Sequence, residues 1–195
     1  MSIDEARKII YVSKAHNTRI PSWSGGGGDI HAKVVQRMKQ VLLENTIYPY
    51  LRPNAQKLLS EARELARESS LLKRDILPCG DTSFFLCPWT GTREMRTIEK
   101  LLSCGLKEYL DIFSVASSYH YLQVTSGLSV EECIHRFHEL EIDFNDPDMV
   151  LPKDQTPKVD KYDPMVPNHL LRSAFLHNQM DVAGAVRILK GIGLS

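Results

Sequence analysis

Two stretches of this chain carry the signature of a β-hairpin, and each is followed by a stretch with helical periodicity. In the first, DILPC and SFFLCPW flank Gly80-Asp81, a pair that suits a tight turn between strands. In the second, YLDIFSVA and YHYLQVT both alternate apolar with polar residues and meet at Ser117-Ser118, which again reads as strand, turn, strand. WTGTR leads from the first hairpin into a helix with Met95, Ile98, Leu101 and Leu102 on one face, stopped by Gly105. After the second hairpin, Ser129-x-x-Glu132 is a capping box that opens a helix with Ile134, Phe137 and Leu140 inward.

The flanks fill in the order. KIIYVSK, residues 8–14, is β-branched and aromatic and reads as a strand. Ile30, Val34, Val35, Met38, Val41 and Leu42 then recur at helical spacing, predicting a helix over about 29–44 with Asp29 or Gly28 as N-cap and these six on its core side. Pro53 begins a second helix running to about Ser69, with Ala55, Leu58, Leu59, Ala62, Leu65 and Ala66 as its stripe. Residues 143–166 are rich in Pro and Asp and predict an extended loop. Pro167 starts a helix carrying Leu170, Leu171, Ala174 and Phe175, and Asp181 caps a last one carrying Val182, Val186 and Leu189. Hairpins interspersed with helices predict an α+β fold, with largely antiparallel strands packed against amphipathic helices. The expected organisation is a domain over 1–142, an extended loop over 143–166 and a helical pair over 167–195 packed on the domain.

A chain of 195 residues with 43% hydrophobic side chains can build a core. No apolar run approaches the roughly 20 residues of a membrane span, and MSIDEARKII lacks the basic and apolar regions of a signal peptide. Cys79, Cys87, Cys104 and Cys133 have no CxxC spacing, which argues against a zinc ribbon and a disulfide framework. The expectation is a cytoplasmic protein with no membrane contact. Equal numbers of bases and acids, 24 each, conceal an asymmetry: residues 1–40 hold seven bases against three acids, and 131–163 hold ten acids against four bases. A basic N-terminal part can meet nucleic acid, although solvated faces of opposite sign produce the same pattern. There is no GxxxxGK[ST] loop, GxGxxG, HExxH or GxSxG, so the chain shows no ATPase or hydrolase machinery.

The candidate site residues cluster around two motifs. In SGGGGD, Gly25, Gly26, Gly27 and Gly28 allow close backbone approach, and the helix behind them offers free N–H groups and a positive dipole to a backbone phosphate. Trp23 can stack on a base. Lys33 and Arg37, four apart, share one helix face and can neutralise phosphates. In PWTGTR, Trp89 stands beside a turn where Thr90 and Thr92 can cap the helix and Arg93 can reach a phosphate. His135 and His138 lie three apart without a third ligand at usable spacing, so no metal site is expected. No nucleophile–base pair is evident, so no catalytic residue is assigned.

The run IIYVSKAHNTRIPSWSGGGGDIHAKVVQRMKQVL, followed by YPYL, NAQKLLSEARELA and FFLCPWTGTREMRTIEKLL, resembles the region after the two motor domains in DEAD/DEAH-box helicases of superfamily 2, similar to the Large helicase-related group. The ending KYDPMVPNHLLRSAFLHNQMDVAGAVRILK is similar to the closing helices of the same proteins. Together these cover about residues 9–110 and 160–190. The resemblance implies a non-catalytic accessory domain of an ATP-dependent DNA helicase that contacts single-stranded DNA or RNA or braces the motor. It implies motor domains as partners in cis or in trans. It also implies that ATP and Mg belong to those domains and that this chain carries no cofactor. Trp23, Gly25, Gly26, Gly27, Gly28, Trp89 and Arg93 would be the strand contacts. The phosphate loop, the DEAD/DEAH box and the arginine-bearing motif of the motor are absent here. The alternative is a protein-interaction or regulatory module that binds no nucleic acid.

Overall fold

The computed structural model describes residues 2–4, 7, 9–11, 28–158 and 161–193. Near the N-terminus, β1 (Ser2–Asp4) pairs antiparallel with β2 (Ile9–Tyr11), with Ile3 opposite Ile10. The rest of the strand expected over 8–14 lies outside the described residues. Two helices follow, α1 (Ala32–Leu43) and α2 (Pro53–Glu68), packed on each other. Pro53 sits in the first turn of α2, where its missing N–H costs nothing.

Both expected hairpins are present. The first is β3 (Ile76–Pro78) with β4 (Ser83–Leu86), and Gly80 turns between them at φ +92°, a conformation that L side chains rarely adopt. The second is β5 (Ile112–Ser117) with β6 (Leu122–Ser126), irregular between Ile112 and Ser114. β4 pairs with β6, giving one antiparallel sheet in the order β3-β4-β6-β5. Helix α3 (Thr92–Ser103) lies between the hairpins in sequence; α4 (Val130–His138), α5 (Asn168–Gln179) and α6 (Val182–Gly191) follow. The fold is α+β with an antiparallel sheet.

Strand alternation determines which sheet face is buried. Phe84, Leu86, Leu122 and Val124 point to the helices and are buried, whereas Phe85 and Gln123 point the other way and keep solvent contact. The buried face meets Ile98, Leu101 and Leu102 of α3, Cys133 and Phe137 of α4, and Ala185, Val186 and Leu189 of α6 in one cluster. Ser129 accepts a hydrogen bond from the Glu132 N–H at 3.2 Å, and Asp181 accepts one from the Gly184 N–H at 2.8 Å, so both expected caps form.

Five local expectations are corrected. Helix α1 starts at Ala32 with His31 as its cap, because Asp29 and Ile30 are engaged with α3 instead. Its stripe does not face the core: Val35 alone of the expected six is buried, while Val34 and Met38 are 53% and 42% exposed. On α2, Leu58, Ala62 and Leu65 are likewise exposed, and Arg63 is buried between them. Residues 143–166 are more than a loop, with 3₁₀ turns at Pro147–Met149 and Asp163–Met165 and with Val150 and Leu151 in the core. On α5 the buried positions are Leu171, Arg172 and Leu176, while Leu170 and Ala174 face solvent.

Candidate functional site

The two motifs singled out in the sequence meet. The Ile30 N–H donates to Thr92 Oγ1 at 2.9 Å, and the Thr92 N–H donates back to the Ile30 carbonyl at 2.9 Å. Arg96 pairs with Asp29 at 2.8 Å beside them. A Cβ on Gly91 would lie 2.7 Å from the Ile30 oxygen and 2.8 Å from the Ala32 nitrogen. The glycine of TGTR is thus required by the close approach of the chain that enters α1. The segment leaving the glycine run is stitched to the start of α3.

Of the glycine-run candidates, Trp23, Gly25, Gly26 and Gly27 lie outside the described residues. Gly28 is exposed, and a Cβ there would meet nothing within 4 Å. At the head of α1, His31 Nδ1 accepts from the Lys33 N–H at 3.1 Å. Lys33 and Arg37 are exposed and share a face, as their spacing requires. That face is apolar: with Val34, Met38, Val41 and Leu42 they border a shallow groove of about 530 Å³. Arg37 is also engaged, donating to Glu44 at 2.9 Å and to the Tyr48 hydroxyl at 3.1 Å. The Tyr48 hydroxyl, which bonds Glu44, and then Arg37 hold the Glu44 carboxyl below its ordinary range. The same bond to Glu44 raises the Tyr48 hydroxyl.

Trp89 is half-buried at φ +47°, a region that bulky residues occupy only under tertiary constraint. Its Nε1–H donates to the Leu71 carbonyl at 3.4 Å, and the Lys39 ammonium lies 5.5 Å from its ring centre. Lys39 also pairs with Asp75 at 3.6 Å. Thr90 is buried and Thr92 is committed to Ile30, so α3 has Gly91 as N-cap and no side-chain cap bond. Arg93, on which a phosphate contact was expected, donates to the Met180 carbonyl at 2.7 Å and to the His177 carbonyl at 3.0 Å. It closes the C-terminal end of α5, where carbonyls lack partners in the helix. Thr97, fully buried, extends this joint by accepting from the Asp181 N–H at 2.9 Å.

His120, His135 and His138 are all exposed. His138 Nε2 is bonded to the Ile192 carbonyl at 2.8 Å, and His135 lies 3.4 Å from Glu139. Among the described residues no group of three or more His, Cys, Asp or Glu side chains converges on a possible metal position. No helix of the described residues is long and apolar enough to cross a membrane.

Sequence reasoning missed the buried arginines. Arg63 donates to the carbonyls of Val41 at 2.9 Å and Thr46 at 3.2 Å, tying the end of α1 to α2. Arg172 donates to Asp148 and to the Pro152 carbonyl, each at 2.7 Å, and also to the carbonyls of Gln155 and Leu151, so it anchors the segment after α4. The one sequence signal was their position inside apolar stripes. It also missed a groove of about 440 Å³ between α3 and the β5–β6 turn, lined by Arg96, Glu99 and Tyr119 among others. Comparison of the chain with family models, with curated proteins and with solved structures finds no match.

Proposed function

We propose that the chain is a non-catalytic accessory domain of an ATP-dependent DNA helicase and that its helical hairpin braces the motor. The observation that carries this reading is the apolar surface of α1 and α2. Val34, Met38 and Leu43 on α1 and Leu58 and Leu65 on α2 are each more than 40% exposed, with Ile47 and Tyr50 between the helices at 77% and 78%. Amphipathic helices normally turn such residues to a core; on α1 Val34 and Met38 line one apolar groove with Val41 and Leu42, and a continuous apolar patch on a surface marks an interaction site. The resemblance described above supplies the identity of the partner. The test is to mix the chain with separately produced DEAD/DEAH-box motor domains from the same organism and to follow complex formation by light scattering. Met38→Glu and Leu65→Glu should abolish the complex while leaving the circular dichroism spectrum unchanged. A complex that survives both substitutions, or that never forms, sinks the proposal. In the second case a partner other than a motor would support the interaction-module alternative.

A second reading, contact with single-stranded nucleic acid, is favoured by the stitching of the glycine-run stem to the TGTR turn. Arg37 is held by Glu44, which leaves Lys33 and the start of α1 to meet phosphates. Two neutralised phosphates correspond to a slope of about −1.4 in log K against log salt. A slope steeper than that would require basic contacts elsewhere on the chain.

A further inference from the structure

We propose that the groove between α3 and the β5–β6 turn binds a single nucleobase, stacked on Tyr119. This site shares no residue with the apolar face of α1 and α2 and stands independently of the bracing role. Its volume of about 440 Å³ falls within the roughly 300–1,000 Å³ of small-ligand sites. Met95 and Leu122, 5% and 1% exposed, form an apolar bottom. At the rim Tyr119 is 73% exposed on the turn that joins β5 to β6, so its ring is open to a stacking partner.

The polar lining selects the ligand. Arg96 only donates, Glu99 only accepts, and the hydroxyls of Ser117 and Ser118 do both. Arg96 is preset by its bond to Asp29, leaving further N–H groups free. A simple anion in this groove would face the Glu99 carboxylate, and a simple cation would face the Arg96 guanidinium. Asp29 already pairs with Arg96 and Lys100 lies 3.8 Å from Glu99, so the groove offers spare donors and acceptors and no net charge, and an aliphatic ligand would use none of them. A nucleobase satisfies the set: it is flat and apolar on its faces and carries donors and acceptors together on its edge. The base can arrive on a free nucleotide or as one residue of a single strand.

Calorimetric titration of the full chain with the four nucleoside monophosphates, and in parallel with ten-residue single-stranded homopolymers, separates the two sources. Binding of the homopolymers alone assigns the groove to a strand, and comparable binding of a monophosphate assigns it to a nucleotide; either supports the proposal. Loss of stacking in Tyr119→Ala should weaken binding roughly 5- to 150-fold, while Tyr119→Phe should bind like the parent. Glu99→Gln should reorder the preference among bases, because the carboxylate can only accept and the amide can also donate. His120→Ala, in the same turn but outside the groove, should change nothing. The proposal is overturned if Tyr119→Ala binds like the parent, if the Ala and Phe variants weaken binding equally, or if no base binds while a short peptide occupies the groove.

Discussion

Arg172 shows how much one buried cation can organise. It is 8% exposed and satisfies Asp148 together with three main-chain carbonyls of the segment that crosses from α4 to α5. Removing it takes the guanidinium donor from the carbonyls of Leu151 and Gln155, while Pro152 keeps the Gln155 N–H and Asp148 keeps Lys153, at a cost of about 1–3 kcal/mol. Urea unfolding of Arg172→Met should show that loss, and the segment around Pro152 should become the first site of proteolytic cleavage. A variant as stable as the parent would mean that water replaces the guanidinium at no cost. Cys87 carries a different signature. Burial, followed by the nearby Asp75 charge, pushes its thiol up to about 11. A folded-state value above the unfolded one means that the contribution to stability is whole below the ordinary thiol value of 9.0 and is lost as pH rises from there to about 11. The stability gap between the parent and Cys87→Ala should therefore narrow across that window. A gap that stays constant would show that the thiol does not titrate differently on unfolding.

At the scale of elements, the joint between the α1 approach and α3 is a tightly constrained contact between distant parts of the sequence. Gly91 has no room for a methyl group, since the obstructing atoms are backbone and cannot rotate away. Gly91→Ala should cost about 1–3 kcal/mol through the forced shift. It should also separate Ile30 from Thr92, which amide exchange at the Thr92 N–H would report. An unchanged exchange rate would show that the joint absorbs the methyl. The helix faces themselves follow a simple rule in the core and break it outside. On α3 the expected inward residues are those the core contains, and on α4 Phe137 and the following Leu140 are in it, while Ile134 packs partly buried against it and Cys133 takes a core position, because the sheet offers an apolar surface on one side only. On α1 and α2 the described residues give the two helices chiefly each other, and much of each stripe stays exposed.

For the whole molecule, the last helices complete the core instead of decorating it. Ala185, Leu189 and Ile192, each no more than 1% exposed, sit in the same cluster as the sheet and α3. Truncation after residue 166 should leave a chain that binds a hydrophobic dye and gives no cooperative thermal transition. A truncated form melting as sharply as the full chain would show that residues up to 166 suffice. The intact chain should hydrolyse no ATP with or without DNA, since no GxxxxGK[ST] loop is present to hold the β- and γ-phosphates. A DNA-stimulated phosphate release that persists through purification would overturn that.

Local chemistry determined what was readable without coordinates. The two hairpins, the caps at Ser129 and Asp181, the start of α2 at Pro53 and the inward faces of α3 and α4 each depend on residues within a few positions of one another. The rest depended on partners far along the chain. Arg93 looked free because its acceptors, the carbonyls of His177 and Met180, lie 84 and 87 residues away. Asp29 looked like an N-cap until Arg96, 67 residues on, claimed its carboxylate. The Pro- and Asp-rich segment read as a loop because burial of Val150 and Leu151 is set by the surface they land on. A helix period shows that one face is apolar; whether that face is covered is decided by whatever packs against it, and for α1 and α2 the described residues leave much of it uncovered.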